Sequence, residues 1–208
     1  MVKNKSKQII QKITDFEGKK DIFLESETDL NYLFIGKGNN IDINIKTKGE
    51  NISLNFYGIF FSDKVESKNK IKVKILNNDV KINVYLLSIV GDNGNLTVDG
   101  GIFVESGLKK CVGSLIEENI VLGKNIKIKT LPILDVKSKD VQMSHGAKIQ
   151  KIDQNKLFYM GTKGISKLKS KNLILNGYFN NILENFNLIN NKEIDGILKF
   201  CEKSSKNI

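Results

Sequence analysis

The sequence predicts a mainly β body followed by a short helical segment, and three observations carry that prediction. A strand-like unit with apolar residues at alternate positions recurs through "NIDINI", "NISLNF", "KIKVKI", "DVKINV", "NLTV", "NIKIKT" and "DVQMSH". No stretch of about ten to fifteen helix-periodic residues interrupts these units, which excludes an alternating βαβ sheet. After Gly164 the alternation gives way to helical spacing.

The units are half-buried strands by pattern. Ile41, Ile43 and Ile45 share one face, as do Ile71, Val73 and Ile75, and Val80, Ile82 and Val84. β-branched residues at every second position suit a pleated surface with one apolar side. Polar connections such as "GKGNN", "KTKGE", "LNND" and "KSKD" separate them. Two architectures satisfy this pattern: an antiparallel sandwich, or a β-solenoid whose short strands stack as rungs. Sandwich hairpins use two-residue Asn-Gly or Asp-Gly turns, and "DNGN" is the one clear candidate. Repeated strands with longer polar corners fit stacked rungs better, each rung needing neighbours to bury its inner side.

Three segments follow from this reading. Residues 1–20 read as an N-terminal helix, with Ile9, Ile10, Ile13 and Phe16 at helical spacing. Residues 21–160 are the β body. Residues 161–208 are helical: Ser166 is a plausible N-cap, and Leu168, Leu175, Phe179, Ile182 and Phe186 form an apolar stripe. A second short helix follows "NNKE", with Ile194, Ile197, Leu198 and Cys201 on one side. Gly177 and several asparagines weaken the first of these helices, so packing against the body or a partner must hold it.

Composition narrows the function. The net charge of +10 comes from lysine alone, because the chain has no arginine. Without guanidinium forks, specific reading of nucleic acid loses its usual tool. The abundance of lysine, asparagine and isoleucine also reads as a compositional habit of the genome. Cys111 and Cys201 stand far apart, so two free thiols in a reducing cytoplasm are expected. No apolar run approaches the roughly 20 residues that cross a bilayer. Phosphate-binding loops, nucleophile elbows and HExxH pairs are missing, and the scattered carboxylates mark no glycosidase pair. The residues therefore make no case for an enzyme.

Two residues invite chemistry. His145, the one histidine, shares a face with Val141 and Met143. It reads either as a hydrogen-bonded histidine near the core or as a metal ligand or proton carrier. Cys111 follows Lys109 and Lys110, whose charges would favour a metal-binding thiolate; otherwise it is an ordinary strand cysteine. These residues and Cys201 are not closely spaced, so a complete metal site within one chain is not expected, whereas one shared between subunits is open.

The segment "LPILDVKSKDVQMSHGAKIQKIDQNKLFYMGTKGI" resembles the core of the SufB/SufD family of iron–sulfur cluster assembly proteins. Pro132, Leu134, Val136, Asp140, Val141, Ser144, His145, Gly146 and Ala147 match its strand and the following D-V-x-x-S-H-G-A motif. Ile152, Asp153, Leu157, Phe158, Tyr159, Gly164 and Ile165 continue the match, with Lys163 where the family usually has arginine. The resemblance implies a right-handed parallel β-helix followed by a C-terminal helical segment. It further implies a homodimer, or a heterodimer with a second SufB/SufD protein, formed through the β-helix edges.

A SufC-type ABC ATPase would dock on the helical segment, making Leu175, Phe179, Ile182 and Phe186 the candidate docking face. A transient iron–sulfur cluster at the subunit interface would be cargo. The histidine in "SHGA" is the SufD-like form, and the alignment places Glu117 where SufB-like chains carry a scaffold cysteine. His145, Glu117 and Cys111 are thus the candidate cluster or metal ligands, and glutamate is a harder, poorer substitute for thiolate. Phe158 and Tyr159 are expected to cover the open end of the solenoid. Against usual members, 208 residues imply the loss of most of an N-terminal helical region and several rungs. The expected function is a non-catalytic, cytoplasmic assembly subunit; a purely structural solenoid and a polysaccharide-acting enzyme are the alternatives.

Overall fold

A computed structural model describes the backbone of residues 7–12 and the chain from 17 to 186. Twelve strands form its body: β1 (Lys7–Lys12), β2 (Gly18–Leu24), β3 (Asp29–Lys37), β4 (Asn40–Thr47), β5 (Ile52–Ser62), β6 (Glu66–Ile75), β7 (Val80–Val90), β8 (Asn95–Val104), β9 (Lys109–Val121), β10 (Lys127–Thr130), β11 (Ile133–Val136) and β12 (Asp140–Lys151). Helices α1 (Gln154–Thr162) and α2 (Lys167–Leu183) follow, with a last 3₁₀ turn at Glu184–Phe186.

The strands alternate between two sheets. One has the order β1-β3-β5-β7-β9-β12, and the other the order β10-β8-β6-β4-β2, with β11 also on β8. Every pairing is parallel. A chain that crosses from sheet to sheet and returns parallel one strand further on is a β-solenoid, as expected. Its inner column Leu30, Leu54, Ile82, Gly113 and Met143 has register steps of 24, 28, 31 and 30 residues. Corners of different length explain why the repeat looks irregular in the sequence.

The corners repeat in conformation. Glu27, Asn51, Asp79 and Lys110 have positive φ at one corner of successive coils. Lys64, Asn93 and Asn125 do so at another, where Gly38 supplies the first such residue. For non-glycine residues the left-handed region costs about 1 kcal/mol each. Stacking offsets it: Glu27 N donates to Glu50 O, Asp79 N to Lys109 O, and Asn93 N to Lys124 O.

Between the sheets lies an apolar core containing Phe34, Phe56, Ile71, Ile82 and Leu115. A second core lies outside the first sheet, where Leu33, Ile59, Phe61, Leu87, Ile89 and Ile120 meet Leu175, Phe179 and Ile182 of α2. Both faces of that half-sheet are therefore buried, which is why β5 and β7 lose their alternation at "GIFFS" and "LLSIV".

Two segment boundaries are corrected. Residues Lys7–Lys12, expected within an N-terminal helix over 1–20, form a strand paired parallel with β3, and β2 begins at Gly18. Consecutive isoleucines favour strand, and the added rung satisfies the free edge of β3. Ile13 and Phe16 lie outside the described residues. Helical structure begins at Gln154, inside the segment expected to be β, capped by Asp153, whose side chain accepts from Asn155 N at 2.8 Å. Ser166 caps α2 as expected, accepting from Lys169 N at 3.4 Å. The second expected tail helix lies outside the described residues.

Candidate functional site

β12 is the last strand of its sheet, paired with β9 on one side only. Register sets Val141 over Cys111, Met143 over Gly113, His145 over Leu115 and Ala147 over Glu117. Leu115 and Glu117 are fully buried beneath this rung. Among the described residues nothing covers this rung: Val141 and Met143 are half-buried, while His145, Ala147 and Ile149 are exposed. His145 therefore occupies an interior column that the end of the solenoid leaves open. This explains why its face predicted the core and its environment is solvent.

Glu117 is the least ordinary of the three candidates. Its carboxylate lies inside the solenoid, where Oε1 accepts from Gly100 N at 2.7 Å and Oε2 is bonded to the Thr130 hydroxyl. Leu131 N donates to Val98 O, so alternate residues of β8 aim their polar groups toward β10 and β11. At Pro132, between β10 and β11, that ladder is interrupted, and Glu117 takes the amide of Gly100. A Cβ on Gly100 would sit 2.5 Å from Glu117 Oε1 and 2.8 Å from Leu115 Cδ1. Glycine is what admits the carboxylate. Burial pushes the Glu117 carboxyl up, the bonds to Thr130 and Gly100 oppose that shift, and Asp99 adds to it.

Cys111 is a buried strand cysteine. Its Sγ lies 3.4 Å from both Asn77 O and Lys109 O, and the side chain is buried. Burial pushes the thiol up rather than down, with the Asp79 carboxylate adding to the rise. The neighbouring charge is spent elsewhere, since Lys110 Nζ lies 3.6 Å from Asp79. Of the two readings of Cys111, this environment fits the ordinary strand cysteine.

The three candidates do not converge. Cys111 lies under Val141, four residues before His145, which at about 3.3 Å per residue is roughly 13 Å along the strand. Glu117 lies one strand below β12 and two residues further along than His145, roughly 8 Å away between backbones. Among the described residues no group of three or more His, Cys, Asp or Glu side chains could hold a metal ion. His145 is the one candidate that presents its side chain at the open rung.

The candidate docking face is also corrected. Leu175, Phe179, Ile182 and Phe186 are buried against the body, Phe179 against Phe61 and Phe186 edge-on to Tyr57. They fasten the helices to the sheet. Phe158 and Tyr159, expected to cover the open end, instead project from α1 with 76% and 63% of their surface exposed. Beside α2, a cleft of about 380 Å³ is lined by Asn55, Tyr57, Asn83 and Tyr85 among others, with no carboxylate. It offers no acid pair for glycoside hydrolysis.

Comparison with known proteins converges on the same segment. The family described as "SUF system FeS cluster assembly, SufBD core domain" matches residues 25–178, which is most of the chain and nearly all of the solenoid. The chain belongs to that family. The iron–sulfur cluster assembly protein SufD of Escherichia coli is 32% identical over 88 residues, covering 42% of this chain and 21% of its own length. An iron–sulfur cluster assembly SufBD family protein of Synechocystis is 24% identical over 113 residues, covering 54% of this chain and 24% of its own. One from Pyrococcus horikoshii is 29% identical over 97 residues, covering 47% and 21%. The matched region is thus about a fifth to a quarter of each relative. Among the described residues of this SufBD core, no helix is long and apolar enough to cross a membrane.

Sequence reasoning missed Gly100 and Thr130, which hold Glu117. The available signal was Pro132, the single proline, standing where a strand should run and forcing a break in its ladder.

Proposed function

We propose that this chain is a non-catalytic subunit of a SUF-type iron–sulfur cluster assembly complex. It pairs through the free edge of β12 with a second copy or with another SufB/SufD-family chain. A SufC-type ATPase docks on its helical segment and drives the assembly. The observation that carries this reading is the open last rung: among the described residues the edge of β12 is unpaired and Val141, Met143, His145, Ala147 and Ile149 lie along an uncovered interior column. An unpaired edge is a template for another strand, and closing it with a second chain would bury this row.

His145 would then lie at the subunit boundary as a ligand for iron in the cargo, through a neutral imidazole nitrogen. Because Glu117 and Cys111 are buried and satisfied within the chain, the remaining ligands come from across the boundary. The experiment is His145→Ala, assayed by activation of an apo iron–sulfur acceptor with the assembled complex. The reading expects cluster delivery to fall while the complex keeps its mass. Undiminished delivery from an intact complex would make the chain a structural scaffold.

A further inference from the structure

The outer face of the first sheet carries two adjacent rows of opposite character. Asn31, Asn55, Asn83 and Ser114 are register partners on β3, β5, β7 and β9. Asn55 Nδ2 donates to Asn31 Oδ1, Asn83 Nδ2 to Asn55 Oδ1, and Ser114 Oγ to Asn83 Oδ1, each at 2.9 Å. Two residues further along the strands lie Tyr57, Tyr85 and Ile116, likewise in register. Successive members of each row are about 4.8 Å apart.

Both rows line the cleft of about 380 Å³ beside α2, and Asn181 of that helix adds to its wall. Small-molecule sites occupy roughly 300–1,000 Å³. A carboxamide has two N–H donors and two acceptor lone pairs. Within the ladder Asn55 and Asn83 each spend one of either kind, which leaves each one N–H and one lone pair. Amide ladders lace stacked strands by themselves; this one also floors a cleft and runs beside a row of rings. No charged side chain lines the space. The Glu118 carboxylate, next along β9, is taken by the Tyr85 hydroxyl at 2.6 Å and Gln150 Nε2 at 2.8 Å. Since β5, β7 and β9 are each paired on both sides, the floor offers no backbone edge to a peptide strand.

We propose that this cleft binds a neutral saccharide of mono- or disaccharide size, its hydroxyl edge on the amide row and the C–H face of its ring on Tyr57, Tyr85 and Ile116. A hydroxyl both donates and accepts, which matches what each asparagine leaves open. An anion would meet no cation here and a cation no carboxylate. An apolar ligand would strip the amides of water and return no hydrogen bond. With no acid pair in the cleft, the saccharide is held and not hydrolysed. The site lies on the outer face of the sheet, whereas His145 lies in an inner column, so the proposal is independent of the assembly function.

The test is a titration of the isotope-labelled full chain, followed by nuclear magnetic resonance through the side-chain amide signals of Asn55 and Asn83. The probes are cellobiose and maltose, with sorbitol and citrate as controls. Saturable shifts of both amides are expected with at least one of the disaccharides. Sorbitol has no ring face for the tyrosines, and citrate should meet lysines elsewhere on the surface, so neither should move these signals. Silence from both disaccharides, or equal shifts from either control, would overturn the site. Asn83→Leu should abolish the response, but it also removes the centre of the ladder and loosens the coils. The deciding variant is therefore Ser114→Ala/Asn181→Ala, which leaves the bonds among Asn31, Asn55 and Asn83 in place. It should weaken binding by at least about tenfold, the loss of two hydrogen bonds, while Asn44→Ala on the other sheet leaves binding unchanged. Wild-type affinity in the folded Ser114→Ala/Asn181→Ala chain would overturn the proposal and assign the ladder to lacing the coils alone.

Discussion

Replacing Gly100 with alanine tests the geometry around Glu117 most sharply. The new methyl would stand 2.5 Å from Glu117 Oε1 and 2.8 Å from Leu115 Cδ1, both on side chains that are themselves fully buried. Overpacking of this kind costs about 1–3 kcal/mol. If the carboxylate moves aside instead, Gly100 N–H loses its partner inside the solenoid, costing about 1–3 kcal/mol. Either route costs about 1–3 kcal/mol, with backbone strain playing no part because Gly100 is not in the left-handed region. Urea unfolding of wild type, Gly100→Ala, Glu117→Ala and the double variant closes the cycle. In the double variant the methyl occupies space the carboxylate has left, so a favourable coupling above about 1 kcal/mol is expected. Gly100→Ala within about 0.5 kcal/mol of wild type, or additive single effects, would refute the account of the cradle.

Three further outcomes follow from the same structure. The Glu117 carboxyl has a folded pKa above its unfolded value, so the folded state holds the proton more tightly. Its contribution is most favourable below about pH 4.3 and is lost as pH rises through the folded value. Urea midpoints from pH 4 to 8 should therefore show Glu117→Gln gaining on wild type as pH rises through that window; parallel curves would contradict the burial. Phe179→Ala should cost about 3–5 kcal/mol and expose the outer sheet face to a hydrophobic dye, because the ring is buried against Phe61. In a Cys201→Ser background, the remaining thiol at Cys111 should resist iodoacetamide until the chain unfolds; prompt labelling of folded protein would restore its candidacy as a ligand.

Much of the solenoid was legible in the sequence because its inner face is written as strict alternation. Ile41, Ile43 and Ile45 face the core as their spacing required, and so do Val80, Ile82 and Val84. The mistakes have physical causes. "KQIIQK" fits helical spacing as a short run, yet a waiting parallel edge on β3 makes it a strand, and no local pattern reveals that edge. The stripe of α2 was visible, but a stripe does not say what it covers. The answer lay in the lost alternation at "GIFFS" and "LLSIV", the mark of a sheet face needing cover.

At the candidate site, alternation put His145 on the correct face. Its exposure depended on β12 being the last rung, which is a property of the stack rather than of the segment. At Cys111 both readings stayed open in the sequence, because spacing does not show that Lys109 and Lys110 are exposed while the thiol is buried. Glu117 was found through the family resemblance, while its partners Gly100 and Thr130 come from another sheet and are marked only by the strand break at Pro132.

The most direct test of the central claim is the mass in solution of this chain mixed with the organism's own SufC-type ATPase, measured by light scattering. The account predicts a defined complex of the two proteins. Two folded proteins that remain at their separate masses would contradict the assembly function and leave a SufBD-type solenoid without that role.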